Sequence, residues 1–455
     1  MTLSARSLAM VMLAASYLFG TKAAQAEMRK VAHSMEIEEV KSSRGVTAWL
    51  VSVPDVPLIA LRFAFEGGSS QDPDDKPGVA NFLTTMLDEG ADNLDAAQFQ
   101  ERMEDIAMRM GFSEGRDAFY GSLQTLSENK TAAFELLTLA LTKPRFDTDA
   151  LERMRKQLLT NLAFAAKNPN RIAQQEWWAK AYPNHPYGRP ASGTTESVTN
   201  ISAQDLSDYR NRIFAKASLK VAVVGDITAE ELKPLLDKTF GDLPAEPRLK
   251  PISTVKLTNQ GKTTIVEMPF PQSVVVLGME GIPRDDPDFI PAYVMNHLLG
   301  GGGFSSRLMQ EVREKRGLAY SVSSHLVSYE NTATLLAFVA TKNEKVAQSI
   351  DVIRNEMRRF ASGGVTEEEL EDAKSYLTGS YPLRFDTNSK IAQQLLAIQM
   401  EKLDIDYVNV RNDMINAIKI NDIKRLAERL LKADTLTITM VGQPQNISQN
   451  PEPDG

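Results

Sequence analysis

The sequence predicts an α+β protein made of two homologous, duplicated domains, each a mainly antiparallel sheet covered by helices. Three observations support this prediction. Similar segments recur in the same order about 215 residues apart, β-rich runs alternate with long amphipathic helical patterns, and each half begins with hairpin-like strand runs. Hairpins and helices mixed in this way favour helices that cover one face of an antiparallel sheet.

The duplication is visible in three pairs of segments. SLKVAVVGDI (218–227) matches TLTITMVGQP (435–444), FDTDALERMRKQLLTNLAFAAKNPNRIAQQ (146–175) matches VTEEELEDAKSYLTGSYPLRFDTNSKIAQQ (365–394), and DPDDKP (72–77) matches DPDFIP (286–291). The offsets are 217, 219 and 214 residues, so order and spacing are both preserved. One chance tetrapeptide is easy to find, but three matches in register indicate two copies of one domain.

Four segments are predicted along the chain. They are a signal peptide at 1–26, an N-terminal domain at 27–245, a C-terminal domain at 253–442 and a flexible tail at 443–455. The signal peptide is indicated by an apolar run that ends in small residues before Glu27. The linker is placed near 243–252, where three prolines in ten residues resist both helix and central strand.

The elements of the first half follow in order from its patterns. Strands are expected at VTAWLVSVP (46–54), LIALRFAFEGG (58–68), DAFYGSLQTL (117–126) and KVAVVG (220–225), and helices from Gly78, at 129–141 and at 149–166. The β-branched and aromatic residues of the strand runs suit a pleated, half-buried surface. The longer helical runs repeat their apolar residues with the period of a core-facing helix.

The sequence composition limits the cellular compartments and the classes of partner that we expect. The predicted signal peptide implies export, to the periplasm or the outside of the cell, and no later run approaches the length needed to span a bilayer. The chain has no cysteine, which excludes disulfides, thiol nucleophiles and cysteine zinc sites. Without residues 1–26 it carries 49 basic against 59 acidic residues, which argues against nucleic acid or an anionic membrane as a partner.

The stretch GVANFLTTMLDEG (78–90) predicts a helix with an unusual polar face. Its apolar residues follow the i, i+3, i+4, i+7, i+8 pattern of a buried stripe, and they are Val79, Phe82, Leu83, Met86 and Leu87. Small polar residues share another face, and they are Asn81, Thr84, Thr85 and Asp88. Asp88 and Glu89 together are expected to form a solvated face rather than an acid/base pair.

At this point the chain resembles the pitrilysin/insulinase family of zinc peptidases, and in particular its small two-domain members related to mitochondrial processing peptidase. Active members carry H-x-x-E-H on a helix, with two zinc-binding histidines and a glutamate that activates the bound water. Here the Gly78-Val79-Ala80 lead-in is kept, but the motif positions read Asn81-Phe82-Leu83-Thr84-Thr85. The position of the family's third ligand is Asn161. The resemblance therefore implies that this chain holds no metal.

The four histidines offer no replacement set. His33, His185, His297 and His325 are not within helical reach of one another, and none has a glutamate three or four residues later. Each is expected to have a structural or surface role.

The second half contains LLGGGGFSSRLMQEVREKRGLAYSVSSHLVSY (298–329). Its pattern predicts a helix from about Ser305 to Lys315, a break at Gly317 and a strand from Leu318 to Val327. Arg313 then lies in the last helical turn and Tyr320 early in the strand, so both can reach one pocket. Both residues can also be explained by local structure alone, because a helix C-terminus favours arginine and a strand favours tyrosine.

The family resemblance favours a functional role for the same pair. In the family an Arg and a Tyr at this spacing complete the active site from the second domain, and VREKRGLAY resembles that element. Arg313 and Tyr320 would then bind substrate carbonyls and support the developing oxyanion. The glycines at 300–303 lack the Gly-Lys-Ser/Thr of a phosphate loop, and a flexible loop near bound peptide or a simple helix stop is expected there.

The favoured hypothesis is the non-catalytic subunit of a heterodimeric zinc metalloendopeptidase. A homologous H-x-x-E-H chain would supply the zinc, this chain would supply Arg313 and Tyr320, and an unfolded peptide would add as a strand to a sheet edge. Two alternatives stay open. One is a structural assembly subunit without a proteolytic role, and the other is a stand-alone periplasmic peptide-binding protein. The substrate and the partner's identity are not given by the sequence.

Overall fold

The computed structural model describes residues 35–447, so the predicted signal peptide and most of the predicted tail lie outside the described residues. The strands are β1 Glu38–Lys41, β2 Thr47–Ser52, β3 Leu58–Glu66, β4 Arg109–Glu114, β5 Ala118–Leu126, β6 Leu219–Gly225, β7 Thr263–Glu267, β8 Gln272–Glu280, β9 Ala319–Tyr329, β10 Thr332–Lys342 and β11 Thr437–Gly442. They form two sheets, one in each half of the chain.

The two sheets have the same topology. The first has the order β1-β2-β6-β3-β5-β4 and the second β7-β11-β8-β10-β9. Once β1 is set aside, the strands correspond one to one. In both sheets a single pair is parallel, β2 with β6 and β7 with β11, and the other pairs are antiparallel. The predicted duplication and the α+β class are confirmed.

Helices occupy much of the remaining chain. They are α1 Val79–Thr84, α2 Ala96–Asp105, α3 Lys130–Thr142, α4 Thr148–Ala165, α5 Pro169–Ala181, α6 Thr195–Asn200, α7 Ala203–Ile213, α8 Ala229–Phe240, α9 Phe289–Asn296, α10 Val346–Ala361, α11 Glu367–Gly379, α12 Asn388–Met400, α13 Tyr407–Asn416 and α14 Ile420–Leu430. Two π-helical segments, His297–Gly301 and Met309–Glu314, lie on either side of a short 3₁₀ turn. No helix in the described range is both long and apolar enough to cross a membrane.

Each sheet is sandwiched between helices of its own half and one helix of the other half. Helix α5 from the first half packs on β8 and β11, and helix α12 from the second half packs on β3 and β6. The Trp177 indole of α5 donates to the Thr437 carbonyl at 3.0 Å, and the Gln399 amide of α12 donates to the Val221 carbonyl at 3.0 Å. The halves therefore exchange core helices and bury each other's sheets.

Two predicted helices differ from the observed ones. The helix expected from Gly78 ends at Thr84 and continues as turns, although its predicted apolar stripe is fully buried. The helix expected from Ser305 to Lys315 consists mainly of the π-helical segment Met309–Glu314. Residues 243–252 contain no helix or strand, and the domain boundaries stay a prediction.

Candidate functional site

Helix α1 is anchored by a buried carboxylate. Asp72 is 1 % exposed, and its two oxygens accept hydrogen bonds from the Gly78 and Ala80 amides at 2.7 and 2.9 Å. These amides belong to the first helical turn, which has no partners of its own. Burial raises the pKa of the Asp72 carboxyl to about 7, against the opposing effect of the two backbone bonds. Asp72 thereby fixes where the polar face of α1 points.

Gly78 permits the sharp entry into this helix. Its φ of +99° suits glycine, and a Cβ there would lie 2.8 Å from the Gly193 Cα. A glycine is required at the start of α1 for both reasons, whether or not the helix carries metal ligands. The lead-in that the sequence shares with active peptidases is therefore explained by local backbone geometry.

The polar face of α1 does not fit a zinc ion. Zinc in proteins is held by imidazole nitrogen, thiolate sulfur or carboxylate oxygen. Here the Thr84 hydroxyl donates to the Asn81 carbonyl at 2.6 Å, and the Thr85 hydroxyl donates to the Phe82 carbonyl at 2.8 Å. Asn161 is an exposed neutral amide on α4. The four positions offer amides and hydroxyls, two of which are already engaged with the helix backbone.

Asn81 is held by the edge strand of the first sheet. Its amide donates to Glu114 Oε1 at 3.2 Å, from the end of β4. Burial raises the pKa of the Glu114 carboxyl, and the bond from Asn81 opposes that rise. The neutral amide thus partners the carboxylate at the position where the resemblance expected a metal-binding histidine.

The histidines that the structure describes lie on separate elements. His185 Nε2 lies 3.0 Å from the Ser253 carbonyl, the His297 ring stacks on Tyr376, and His325 Nε2 lies 3.1 Å from the Ser323 hydroxyl. His33 lies outside the described residues. Between residues 35 and 447 no group of three or more histidine and carboxylate side chains is placed to hold a metal ion.

Asp88 and Glu89 differ from their predicted setting. Both side chains are half-buried rather than on a solvated face, and Glu89 forms an ion pair with Arg153. Burial raises the pKa of the Asp88 carboxyl to about 6. The helix ends before these residues, and the turn that follows folds them against the protein.

Arg313 and Tyr320 come together, as their spacing predicts. The Arg313 guanidinium carbon lies 4.8 Å from the centre of the Tyr320 ring, within the range of a cation–π contact. Tyr320 is 79 % exposed, on the edge strand β9 of the second sheet. Arg313 Nε lies 3.4 Å from a Glu314 oxygen. The pair therefore places a partly exposed guanidinium beside an exposed phenol. Their role in binding stays a prediction.

A third side chain joins this pair. Phe304 is 61 % exposed, and its ring centre lies 4.7 Å from the Arg313 guanidinium carbon. Sequence reasoning missed this residue, because an isolated phenylalanine after a glycine run has no distinctive spacing. We call Phe304, Arg313 and Tyr320 the aromatic–arginine cluster.

The glycine run before Phe304 is closely packed up to Gly302, whereas a Cβ at Gly303 would have nothing within 4 Å. A Cβ at Gly300 would lie 2.6 Å from the Ser324 amide of β9, and a Cβ at Gly302 would lie 2.8 Å from the His297 carbonyl. Only glycine allows these approaches without displacing backbone atoms. The run therefore links the π-helical segment His297–Gly301 to the following 3₁₀ turn, with close packing at Gly300 and Gly302 and open space at Gly303. The flexible loop near bound peptide stays a prediction.

The turn between Arg313 and Tyr320 is fixed by a buried carboxylate. Glu311 is 8 % exposed and accepts hydrogen bonds from Lys315 at 2.7 Å, Arg316 at 2.6 Å and Arg359 of α10 at 3.3 Å. The hydrogen bond from Lys315, followed by that from Arg316, lowers the pKa of the Glu311 carboxyl to about 2. Glu311 thus stays ionised and ties the connecting turn to the body of the second half.

The described residues thus combine a duplicated α+β fold, a polar face on α1 made of amides and hydroxyls, and an Arg/Tyr contact at a sheet edge. These are features that the resemblance to the pitrilysin/insulinase family led us to expect. Comparison of the sequence with known families gives the same class. Residues 50–195 match the family described as Insulinase (Peptidase family M16), and residues 200–377 match the one described as Peptidase M16 inactive domain. The chain belongs to the M16, or insulinase, family.

Similar proteins are named either as zinc proteases or as a non-peptidase homologue. A Helicobacter pylori protein named "Non-peptidase homolog YmxG" is 27 % identical over 81 % of this chain and 88 % of its own length. A Bacillus subtilis protein named "Uncharacterized zinc protease YmxG" is 26 % identical over 88 % of this chain and 96 % of its own. The crystal structure of a peptidase M16 inactive domain from Pseudomonas fluorescens has a TM-score of 0.84 at 28 % identity, covering 91 % of this chain and all of that one.

Proposed function

We propose that this protein is the non-catalytic subunit of a heterodimeric zinc metalloendopeptidase. A homologous H-x-x-E-H chain supplies the zinc, and this chain supplies Arg313 and Tyr320 to the shared site. The observation that carries the proposal is a contrast between the halves. The polar face of α1 lacks the ligand groups that zinc needs, whereas Arg313 and Tyr320 are in contact, with the Tyr320 ring exposed and the Arg313 side chain partly exposed.

The substrate class is an unfolded peptide. The edge strand β9 carries Tyr320, and the edge strand β4 carries Glu114 beside Asn81. An extended peptide that adds to such an edge is held by backbone hydrogen bonds, and its carbonyls then lie within reach of side chains on the same edge. Arg313 and Tyr320 both donate hydrogen bonds, so they can hold a peptide carbonyl and the charge that develops on it.

The proposal also includes an exported location for the mature chain. The apolar run and small residues of 1–26 resemble a signal peptide, which would place the mature chain in the periplasm or outside the cell. The acidic charge balance favours a protein or peptide partner over nucleic acid.

The test is to purify the exported chain from its native host and to identify what copurifies. We expect a homologous chain of similar size that carries H-x-x-E-H, with zinc in the complex and peptidase activity only when both chains are present. Tyr320→Phe in this chain should then lower kcat of the complex while gel filtration shows an unchanged assembly. A large non-peptidase assembly would support a structural role instead, and a monomer with peptide affinity would support a stand-alone binding protein.

A further inference from the structure

The position of Phe304 is defined by the backbone around it. Gln310 Nε2 donates to the Phe304 carbonyl at 2.8 Å, and the Ser306 hydroxyl donates to the Gly303 carbonyl at 2.7 Å. Gly300 lies against Ser324 and Gly302 against His297, whereas Gly303 has open space around it. A ring presented from a fixed backbone loses little conformational freedom when it binds a ligand. Phe304 therefore presents an exposed ring from a backbone that two side-chain hydrogen bonds hold.

The aromatic–arginine cluster combines hydrogen-bond donors with exposed aromatic rings. The rings of Phe304 and Tyr320 are both largely exposed and both lie against the Arg313 guanidinium. The guanidinium and the phenol can donate to carbonyl oxygen, whereas the phenyl ring of Phe304 has no polar group and gains only from burial against apolar surface. A ligand that matches both has a backbone carbonyl and a large apolar side chain close together.

We propose that Phe304 is a specificity-determining residue, which selects peptides that carry an aromatic or large aliphatic side chain next to the carbonyl held by Arg313. This inference rests on the proposed function, because it takes peptide binding at Arg313 and Tyr320 as given. It adds the class of side chain that the site prefers. The contact area comes from a ring that is already exposed, so no rearrangement of the core is needed.

The experiment compares two labelled twelve-residue peptides that are identical except for one central residue, Phe or Ser. Fluorescence anisotropy is measured on the full chain as purified, with its copurifying subunit and with EDTA present to stop cleavage. The wild-type protein should bind the Phe peptide about tenfold more tightly, the discrimination expected of an apolar contact. Phe304→Ala should bring the ratio of the two dissociation constants to about one. Arg313→Ala should weaken both peptides and keep a preference for Phe.

Leu383→Ala is the matched control, because Leu383 is a similarly exposed apolar residue elsewhere, at 59 %. It should leave the preference at the wild-type value. The inference is overturned if the wild-type protein binds both peptides equally, or if Phe304→Ala keeps the preference. Loss of the copurifying subunit with the preference retained would assign Phe304 to the subunit contact and would also overturn it. If neither peptide binds, the proposed function itself fails, which is a different result from equal binding.

Discussion

The two halves of this protein have the same sheet topology, but they differ in how the polar side chains of the candidate site are bonded and exposed. In the first half the polar face of α1 is closed on itself, with the Thr84 and Thr85 hydroxyls bonded to the helix backbone and Asn81 bonded to Glu114. In the second half an exposed Tyr320 ring lies against the partly exposed Arg313 side chain, next to a turn that is hydrogen-bonded to the buried Glu311. One duplicated fold can thus carry a self-bonded polar face in one copy and an Arg/Tyr contact at a sheet edge in the other.

The halves also differ in how a buried carboxylate anchors the site. Asp72 holds the start of α1 through backbone amides alone, and its pKa is raised by burial. Glu311 holds the turn before Tyr320 through three cationic side chains, and its pKa is lowered by them. Backbone amides do not offset the loss of hydration as fully as cations do. The two halves should therefore respond to pH in opposite directions.

The largest predicted effect tests whether the halves are one cooperative unit. Trp177→Ala removes a fully buried indole of α5 that packs on the second sheet, and Leu395→Ala truncates a fully buried side chain of α12 that packs on the first. Each should lower the free energy of unfolding, by about 3–5 kcal/mol for Trp177 and about 2–5 kcal/mol for Leu395. Calorimetry should still show a single transition in both variants. Two separate transitions would contradict the exchange of core helices.

The second prediction concerns Asp72. Because its folded pKa is raised from about 3.8 to about 7, the folded state binds this proton more tightly, and stability should fall as pH rises from 4 to 7. The difference is at most about 4 kcal/mol. In Asp72→Asn this pH slope should be reduced, as measured by urea unfolding at pH 4, 5.5 and 7. Asp74→Asn, which changes an exposed carboxylate, is the control. An unchanged slope in Asp72→Asn would remove Asp72 as its source.

The third prediction has the opposite sign. Glu311 has a folded pKa lowered from 4.5 to about 2, so its contribution is present above pH 4.5 and is lost as pH falls from 4.5 to 2. The contribution is about 3 kcal/mol at most. Glu311→Gln should be less stable at pH 7 and should lose less stability on acidification. Glu371→Gln, which changes an exposed ion pair, is the control. Equal acid sensitivity of Glu311→Gln and wild type would contradict this assignment.

The last prediction concerns zinc binding by the first half, where a single substitution should have no effect. Asn81→His should leave the purified chain without stoichiometric zinc, because Thr84, Thr85 and Asn161 still supply no metal-binding group. Metal analysis after dialysis measures this directly. About one tightly held zinc per chain, in wild type or in Asn81→His, would show that residues outside the motif positions bind the metal.

Much of the architecture could be predicted from the sequence because it depends on local pattern and repetition. The two sheets could be predicted from the strand patterns of β2, β3 and β5 and from the register of the repeats. The contact between Arg313 and Tyr320 could be predicted from their spacing across Gly317. The exchange of α5 and α12 could not be predicted, because an apolar stripe shows that a helix is buried but not which sheet it covers. The contact between Glu311 and Arg359 could not be predicted either, because the two residues lie 48 positions apart, whereas Lys315 and Arg316 are local partners of Glu311.

The candidate site was predictable where residue identity was enough. Asn81, Thr84, Thr85 and Asn161 are poor zinc ligands by their chemistry alone. Asp72 was visible only as part of a repeated DPD motif, since its contact with the α1 amides depends on how residues 73–77 fold. Phe304 gave no signal at all, because its contact with Arg313 requires the path of the glycine run.

The measurement that tests the central claim most directly is kcat/KM of the purified complex with Arg313→Ala in this chain. Arg102→Ala, which removes an exposed arginine on α2, is the matched control. With assembly confirmed by gel filtration, Arg313→Ala should lower kcat/KM by about 10²–10³-fold, mostly through kcat, and Arg102→Ala should not lower it. Wild-type kcat/KM in an intact Arg313→Ala complex would contradict the claim that this chain completes the partner's site.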